Sequence, residues 1–266
     1  MEPPSGPALE ALIDAAWPAA DREETGGWLL RAASGVTQRA NSVWPREPGA
    51  DAHAQLAALR AARLWYRARR LPLIFQVFDH PRYAPLNAVL DAEGFTHQSE
   101  TLVLVRDGVG PPAAADRGVE ISTEPSSEWL RLWWSVDGRG DDAALEVASG
   151  ILTGCPSLYA LVRDDDGNPA AVGRLAVPHG GAAGARQPWG GLYCMATRPD
   201  ARRSGHASAV LHALLGEGAR LGLAGYWLLV TAANTGAREL YARAGFEESG
   251  RYLYRQERPK RHLTGC

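Results

Sequence analysis

Thr197-Arg198-Pro199-Asp200-Ala201-Arg202-Arg203-Ser204-Gly205-His206-Ala207 is the stretch whose reading decides the fold. The residues before it, Gly191 to Arg198, are largely apolar and suit a strand, which Pro199-Asp200 breaks. After Ala207 the apolar residues Ala209, Val210, Ala213, Leu214 and Leu215 recur at helical spacing. Arg202 to Ala207 is therefore a turn from a strand into a helix N-terminus. First-turn N–H groups have no partner within their own helix, and the macrodipole adds partial positive charge, so such an end suits phosphate. Gly205 lets the backbone approach a ligand, Ala207 keeps its position small, and Arg202 and Arg203 add permanent charge. Neither common nucleotide loop is present, since there is no Gly-x-x-x-x-Gly-Lys-Ser/Thr and no Gly-x-Gly-x-x-Gly after a strand. Taken alone, the pattern is equally that of an ordinary helix start with an exposed arginine pair.

A second segment follows. Leu223 to Thr231 reads as a buried strand, and Asn234-Thr235 supplies a cap for the next helix. That helix ends at Gly245, a good residue just past a helix terminus, and Phe246 opens another extended stretch through Glu247 to Arg255. Tyr241 follows Leu240, which is expected to face the core. Read by itself, it is a half-buried helix tyrosine.

Together the two segments resemble the GNAT superfamily of acetyl-CoA-dependent N-acetyltransferases. Arg202, Gly205 and Ala207 match that family's Gln/Arg-x-x-Gly-x-Gly/Ala pyrophosphate loop, with Pro199 three residues upstream. Asn234, Ala237, Leu240, Tyr241, Gly245 and Phe246 match its later Asn-x-x-Ala-x-x-Leu-Tyr-x-x-x-Gly-Phe segment. The resemblance covers residues 119–257. It implies a mixed α/β (α+β) fold, with acetyl-CoA as co-substrate and direct acetyl transfer to a primary amine of a small molecule or protein. Residue by residue, it implies that the turn of Arg202, Arg203, Ser204, Gly205, His206, Ala207 and Ser208 holds the CoA pyrophosphate on backbone amides. It further implies that Met195 and Thr197 bond the pantetheine arm and acyl carbonyl through their main chain. Asn234 would contact the pantetheine side, and Tyr241 would stand near the thioester sulfur as general acid.

These roles are chemically coherent. When an amine attacks a thioester, negative charge develops first on the carbonyl oxygen, where fixed donors stabilise it. It then develops on sulfur, which a phenol is able to hydrogen-bond or protonate. No covalent acyl-enzyme is required, so Cys194 reads as a strand residue rather than a nucleophile. The acceptor must lose a proton, because an alkylamine is mostly ammonium near neutral pH. Asp137, Asp141, Asp142, Glu146 and Glu124 are the candidate bases, none within a motif, and each is also readable as a solvated charge.

Outside the two motifs, Val119 to Ser122 starts a strand, and helices are expected around Trp129–Trp134 and Ala143–Ile151. Leu158–Arg163 and Ala170–Val177 form a hairpin across Asp164-Asp165-Asp166-Gly167-Asn168, read as a solvated turn in preference to a cation site. Residues 180–185 are a Gly/Ala connection.

The first hundred residues look like a worn copy of the same fold. Leu86 to Phe95 aligns with Ala237 to Phe246, with Gly94 on Gly245, and Leu73–Phe78 aligns with the strand Tyr226–Val230. A long helix is expected over Ala52–Leu71, and a hairpin from Trp28–Arg31 to Gln38–Trp44 turning near Ser34-Gly35. Leu90 takes the place of Tyr241. Pro45 and Pro48 lack amide donors, and Glu47 and Asp51 would repel a pyrophosphate. The expected organisation is a degenerate, non-catalytic GNAT-like domain over 1–106, a linker over 107–118, a complete catalytic domain over 119–258 and a tail over 259–266.

Bulk properties bound the remainder. The chain has 266 residues, enough for two modest cores, and a net charge of −2, which argues against broad nucleic-acid or anionic-membrane affinity. Lys260 is its sole lysine. Three cysteines, Cys155, Cys194 and Cys266, make no disulfide frame and fit a reducing compartment. The opening Met-Glu-Pro-Pro-Ser-Gly-Pro lacks signal-peptide features, and a cytoplasmic monomer or homodimer is expected. Histidines show no metal-ligand spacing. Two alternatives stay open: a non-enzymatic acyl-CoA-binding or sensor module, and an acyltransferase with another acyl chain or an oxygen acceptor.

Overall fold

In the computed structural model, which describes residues 6–108, 118–178 and 188–258, the chain begins with helix α1 (Pro7–Ala15) and strands β1 (Asp21–Thr25) and β2 (Trp28–Ala32). Helix α2 (Ala52–Ala68), strand β3 (Ile74–Phe78), helix α3 (Ala84–Ala92) and strand β4 (Phe95–Asp107) follow. Next come β5 (Val119–Ser122), α4 (Ser127–Asp137), α5 (Asp142–Thr153), β6 (Ser157–Arg163), β7 (Pro169–Ala176) and β8 (Trp189–Thr197). The last elements are α6 (His206–Arg220), β9 (Gly225–Thr231), α7 (Thr235–Arg243) and β10 (Glu247–Glu257). The expected Gly/Ala connection at 180–185, nearly all of the 107–118 linker and the 259–266 tail lie outside the described residues. No helix among the described residues is long and apolar enough to cross a membrane.

Among the described residues two compact units form, and they do not divide the chain once: residues 6–18 group with those between 102 and 249, and residues 19–101 with 250–258. Strands β4 and β10 each run from one unit into the other. In the larger unit the strand order is β4-β9-β8-β7-β6-β5. Strands β5 to β8 pair antiparallel and β8 pairs parallel with β9, giving a mixed sheet. Its core joins Ala160, Val162, Leu175 and Leu192 from the sheet to Val210, Leu211, Leu214 and Leu215 of α6, whose apolar residues recur at the helical period. In the smaller unit β10 pairs antiparallel with β3, and Leu59, Ala62 and Tyr66 of α2 pack on Trp28, Phe75 and Phe95.

The hairpin expected from Trp28–Arg31 to Gln38–Trp44 forms only as a single antiparallel bridge, Leu29↔Trp44, with both of its hydrogen bonds at 2.8 Å. The full ladder of β2 is with β1, from Asp21↔Ala32 to Thr25↔Trp28, across a turn with Gly26 at φ 54° and Gly27 at φ 81°. Two central residues at positive φ match the strand twist, which makes this a natural hairpin turn. Strand β1, Asp-Arg-Glu-Glu-Thr, is nearly all exposed, so no apolar alternation marks it. The segment before Val43 instead coils into a short 3-10 turn around Asn41. The Asn41 side chain accepts from the N–H groups of Ala33 and Gly35 and donates to the carbonyls of Val36 and Thr37.

Helix α7 ends as its sequence dictates: Gly245 adopts φ 82°, and the Phe246 N–H returns to the Tyr241 carbonyl at 3.0 Å. Gly94 ends α3 at φ 80°. A methyl added at Gly245 would meet nothing nearer than Arg106 Nε at 3.8 Å, so only backbone strain opposes it. Gly245→Ala is therefore expected to lower stability by about 1 kcal/mol in urea denaturation, with the m-value unchanged.

Candidate active site

The site begins with a defect in β8. Opposite β7, Tyr193 pairs with Arg174 but Ala196 with Val172, so β8 carries one extra residue, a β-bulge. Cys194 within it adopts φ 55°. On its other edge β8 pairs with β9 only as far as Leu192↔Leu228, although β8 runs on to Thr197 and β9 to Thr231. The two parallel strands thus part, and Met195 to Thr197 have no ladder partner in β9. An extended chain bearing amides fits such a gap.

Beyond β8 the chain makes a short 3-10 turn over Pro199–Ala201 before entering α6. Arg198 fastens the entry to this loop. Its guanidinium donates to Asp200 at 2.6 Å, to Asp164 at 2.7 Å and to the Pro169 carbonyl at 3.0 Å. Asp164 also accepts from the N–H groups of Asp166 and Asn168, so the aspartate run is a turn pinned to the loop, and no metal-binding group of acids exists among the described residues. Arg203 adopts φ 66° and Gly205 φ 85°. Left-handed backbone at a non-glycine residue costs about 1–2 kcal/mol and is kept where the surroundings demand it.

Helix α6 starts without a side-chain cap, as the shorter α1 and α3 also do. Of the four described helices longer than nine residues, α2, α4 and α5 are capped by the side chains of Asp51, Ser126 and Asp141, whereas α6 has no side-chain cap. Its first intrahelical bond runs from Ala209 N–H to the Gly205 carbonyl at 3.0 Å. The N–H groups of His206, Ala207 and Ser208 precede it, aligned with the positive end of the helix dipole. A hypothetical Cβ on Gly205 meets nothing within 4 Å, which leaves open space in front of these donors.

These features open onto one cavity of about 770 Å³. It is lined by Met195, Thr197, Arg202, Arg203, Gly205, His206, Ala207, Ser208, Asn234 and Tyr241, all expected at the site from sequence; Ser204, also expected there, is exposed and does not line it. Asn234 uses its side-chain oxygen to cap α7 through Ala237 N–H at 3.1 Å. Val136, Asp137, Ala196, Ala201, Gly236, Ala237, Leu240 and Arg243 complete the wall. Of the five candidate bases only Asp137 is among them, and Asp141 spends its carboxylate capping α5 through Ala144 N–H at 3.0 Å. Cys194 does not line the cavity.

Tyr241, rather than Leu240, is the buried residue of α7, at 7% exposure. The buried Tyr66, Tyr159 and Tyr226 hydroxyls each donate to a backbone carbonyl, of Arg31, Leu152 and Leu215. The Tyr241 hydroxyl makes no hydrogen bond among the described residues. Burial, and secondarily the charge of Asp137, pushes its phenol well above the ordinary tyrosine range, so it stays protonated at any physiological pH. Asp137 is itself raised by burial, against the opposing charges of Arg139 and Arg202. Asp137 is nonetheless an exposed residue, so its carboxylate is in contact with water.

A strand bulge, a parted pair of parallel strands, an uncapped helix end and an unbonded phenol therefore share one cleft. The family described as Probable histone acetyltransferase Rv0428c C-terminal matches residues 7–255, nearly the whole described chain. The chain belongs to that family. It is 26% identical over 255 residues to YobR of Bacillus subtilis (strain 168), described as an uncharacterized N-acetyltransferase, covering 94% of this chain and 98% of that protein. It is 33% identical over 217 residues to the probable histone acetyltransferase Rv0428c of Mycobacterium tuberculosis, covering 81% of this chain but only 62% of that longer protein. Among solved structures, a GCN5-related N-acetyltransferase from Kribbella flavida aligns over 97% of this chain and 98% of its own, with a TM-score of 0.67 and 18% identity. A tandem GNAT protein from the clavulanic acid biosynthesis pathway aligns over 98% of this chain and 90% of its own, with a TM-score of 0.65 and 14% identity. The likeness to both is one of fold. The chain is an acetyltransferase of the GNAT superfamily, an acyl-transferring enzyme.

Proposed function

We propose that this enzyme transfers the acetyl group of acetyl-CoA directly to a primary amine of a small molecule or protein. The observation that carries the reading is that the uncapped start of α6, Tyr241 with its unbonded hydroxyl, and Met195 to Thr197, where β8 has parted from β9, all line one cavity. The chain's own residues fit the donor in each part. Backbone amides of the Arg202–Ser208 turn, with Arg202 and Arg203, offer positive charge to a diphosphate. The main chain of Met195 to Thr197 offers strand-like hydrogen bonds to the pantetheine amides, with Asn234 beside it, and a donor to the thioester carbonyl where oxyanion charge develops. Tyr241 donates its phenolic proton toward the departing sulfur. Holding amine and thioester together in one cavity supplies much of the remaining acceleration.

We further propose that residues 119–258 carry the catalysis and that 1–106 are a degenerate copy joined by 107–118. The matching ends of α2 and α6 support this. Helix α2 is capped by the Asp51 carboxylate, which takes Ala54 N–H at 2.8 Å and puts negative charge where α6 leaves open amides. Leu90, fully buried, stands where α7 has Tyr241.

Incubating the chain with acetyl-CoA and a panel of amines while measuring free thiol tests the reading. Thiol release dependent on an amine supports it; tight CoA binding without release under any amine favours a binding or sensor module. Gly205→Val is expected to weaken CoA at least 100-fold in calorimetry, a loss of about 2.7 kcal/mol. The branched side chain both resists φ 85° and fills the space before the helix amides. Affinity within threefold of wild type would place the diphosphate elsewhere.

A further inference from the structure

The acceptor nitrogen has to shed protons, and no residue assigned so far takes them. Asp137 is the sole carboxylate among the residues lining the cavity, where the other ionisable groups are Arg202, Arg203, His206, Arg243 and Tyr241. It is the last residue of α4, close to a helix end whose carbonyls disfavour negative charge. Its carboxylate makes no hydrogen bond or ion pair among the described residues. Other aspartates are committed elsewhere: Asp141 to a helix cap, and Asp164 and Asp200 to Arg198. An unpartnered acid in a cavity otherwise lined by basic groups is a receptor for a cation.

We propose that Asp137 binds the acceptor's ammonium and serves as the base of the transfer, an assignment that rests on the acetyl-transfer reading above. The ammonium gives one proton to the carboxylate, which releases it to water along its exposed edge. The freed lone pair forms the C–N bond at the thioester carbonyl. The nitrogen then loses its second proton to Asp137 as the C–S bond breaks, the sulfur leaves with the electron pair, and it receives the proton of Tyr241. Asp137 passes this second proton to solvent, and solvent restores one to the phenol, which returns both groups to their starting states. Ammonium and thioester thus become amide, thiol and one proton released.

The surroundings divide the two roles. Partial desolvation makes Asp137, although exposed, a better proton acceptor than a free aspartate, while its negative charge adds to the burial that keeps Tyr241 protonated. The cavity thus holds a carboxylate that takes a proton and a phenol that carries one. Arg139 and Arg202 restrain Asp137, and Arg202 also lies in the phosphate loop. A diphosphate neutralising Arg202 lifts part of that restraint, so donor binding strengthens the base.

Asp137→Asn in the full chain tests this. Near neutral pH, kcat/KM for the amine is expected to fall about 10²–10⁴-fold, with CoA affinity within about threefold of wild type. The deficit should shrink as pH rises and free amine becomes abundant, and Asp137→Glu should recover part of the rate. Calorimetry with dephospho-CoA in buffers of different ionisation enthalpy gives a readout independent of turnover: wild type should take up protons on binding as pH is lowered, and Asp137→Asn should not. The proposal is overturned by a variant that keeps its rate within threefold, by a deficit equal at every pH, or by unchanged proton uptake. A wild-type chain that releases no thiol with any amine would instead bring down the acetyl-transfer reading, and this assignment with it.

Discussion

Tyr241→Phe is expected to lower kcat by about 10²–10³-fold while moving CoA affinity less than about threefold. The ring is a packing element, buried and edge-on to Phe246 at 6.0 Å, and phenylalanine preserves that contact. What is lost is one hydroxyl, and no protein group depends on it among the described residues. The ground state should therefore hardly notice the change. The transition state should, because that is where charge develops on the sulfur. An ordinary phenol is already a weaker acid than an ordinary thiol by about 1.5 units. Burial weakens Tyr241 further, and the same burial acts on the departing thiolate, so the gap does not widen on that account. Hydrogen bonding to sulfur as it departs is the larger part of the effect, which is why the lower end of the usual range is expected. The pH profile offers a separate check. A phenol held above its normal range remains an acid through pH 10, so the wild-type rate should show no alkaline limb from Tyr241 below that pH. A limb near pH 8 that vanished in Tyr241→Phe would contradict this placement.

Arg174→Met is expected to destabilise the larger unit by about 3 kcal/mol, lowering its Tm by roughly 10 °C, with acetyl transfer near wild type at low temperature. Arg174 is fully buried in β7 without a carboxylate partner. Its charge is met by the Ala16 carbonyl at 3.0 Å, the Leu152 carbonyl at 2.8 Å and Ser157 Oγ at 3.0 Å. Trp17 and Tyr193, stacked at 5.4 Å, lie beside it. Ala16 and Leu152 stand at the C-terminal ends of α1 and α5, where carbonyls are left over and the dipole favours a cation. Methionine fills much of the volume but supplies no donor. Leu152 keeps the Tyr159 hydroxyl at 2.9 Å, so the Ala16 carbonyl is the group most exposed to loss. Limited proteolysis should accordingly cut near residues 16–18 first. Arg174→Lys should rescue little, because one ammonium does not reach three acceptors in the guanidinium's fork geometry. A variant as stable and protease-resistant as wild type would mean that the aromatic packing of Trp17 alone holds this segment.

The two results separate what local sequence carries from what it does not. The phosphate turn was legible because its chemistry is backbone chemistry: Pro199 ends a strand, Gly205 accepts φ 85°, and the helix behind it repeats at its own period. Gly245 was legible for the same reason, and the strand within Leu223–Thr231 by its apolar run. The β1–β2 hairpin was not, since a strand of charged residues carries no pattern, although the glycine pair at 26–27 marked its turn. The placement of Asp137 in the cavity was likewise hidden among five similar acids, because only the packing of α4 chooses between them. Leu240 and Tyr241 exchanged their expected burial through the rotation of α7 on the sheet, a matter of contacts across the whole unit.

By itself, then, the sequence determined the elements that depend on neighbouring residues: the start of α6, the turn that feeds it, the glycine end of α7 and the mixed α/β class. Tertiary structure alone decided that residues 6–18 group with those between 102 and 249, that β8 parts from β9 after Leu192, that one carboxylate enters the cleft, and that the Tyr241 hydroxyl is left unbonded. The reason is range. Backbone geometry answers to residues a few places away, whereas burial, desolvation and free hydrogen-bonding capacity answer to whatever the fold brings alongside.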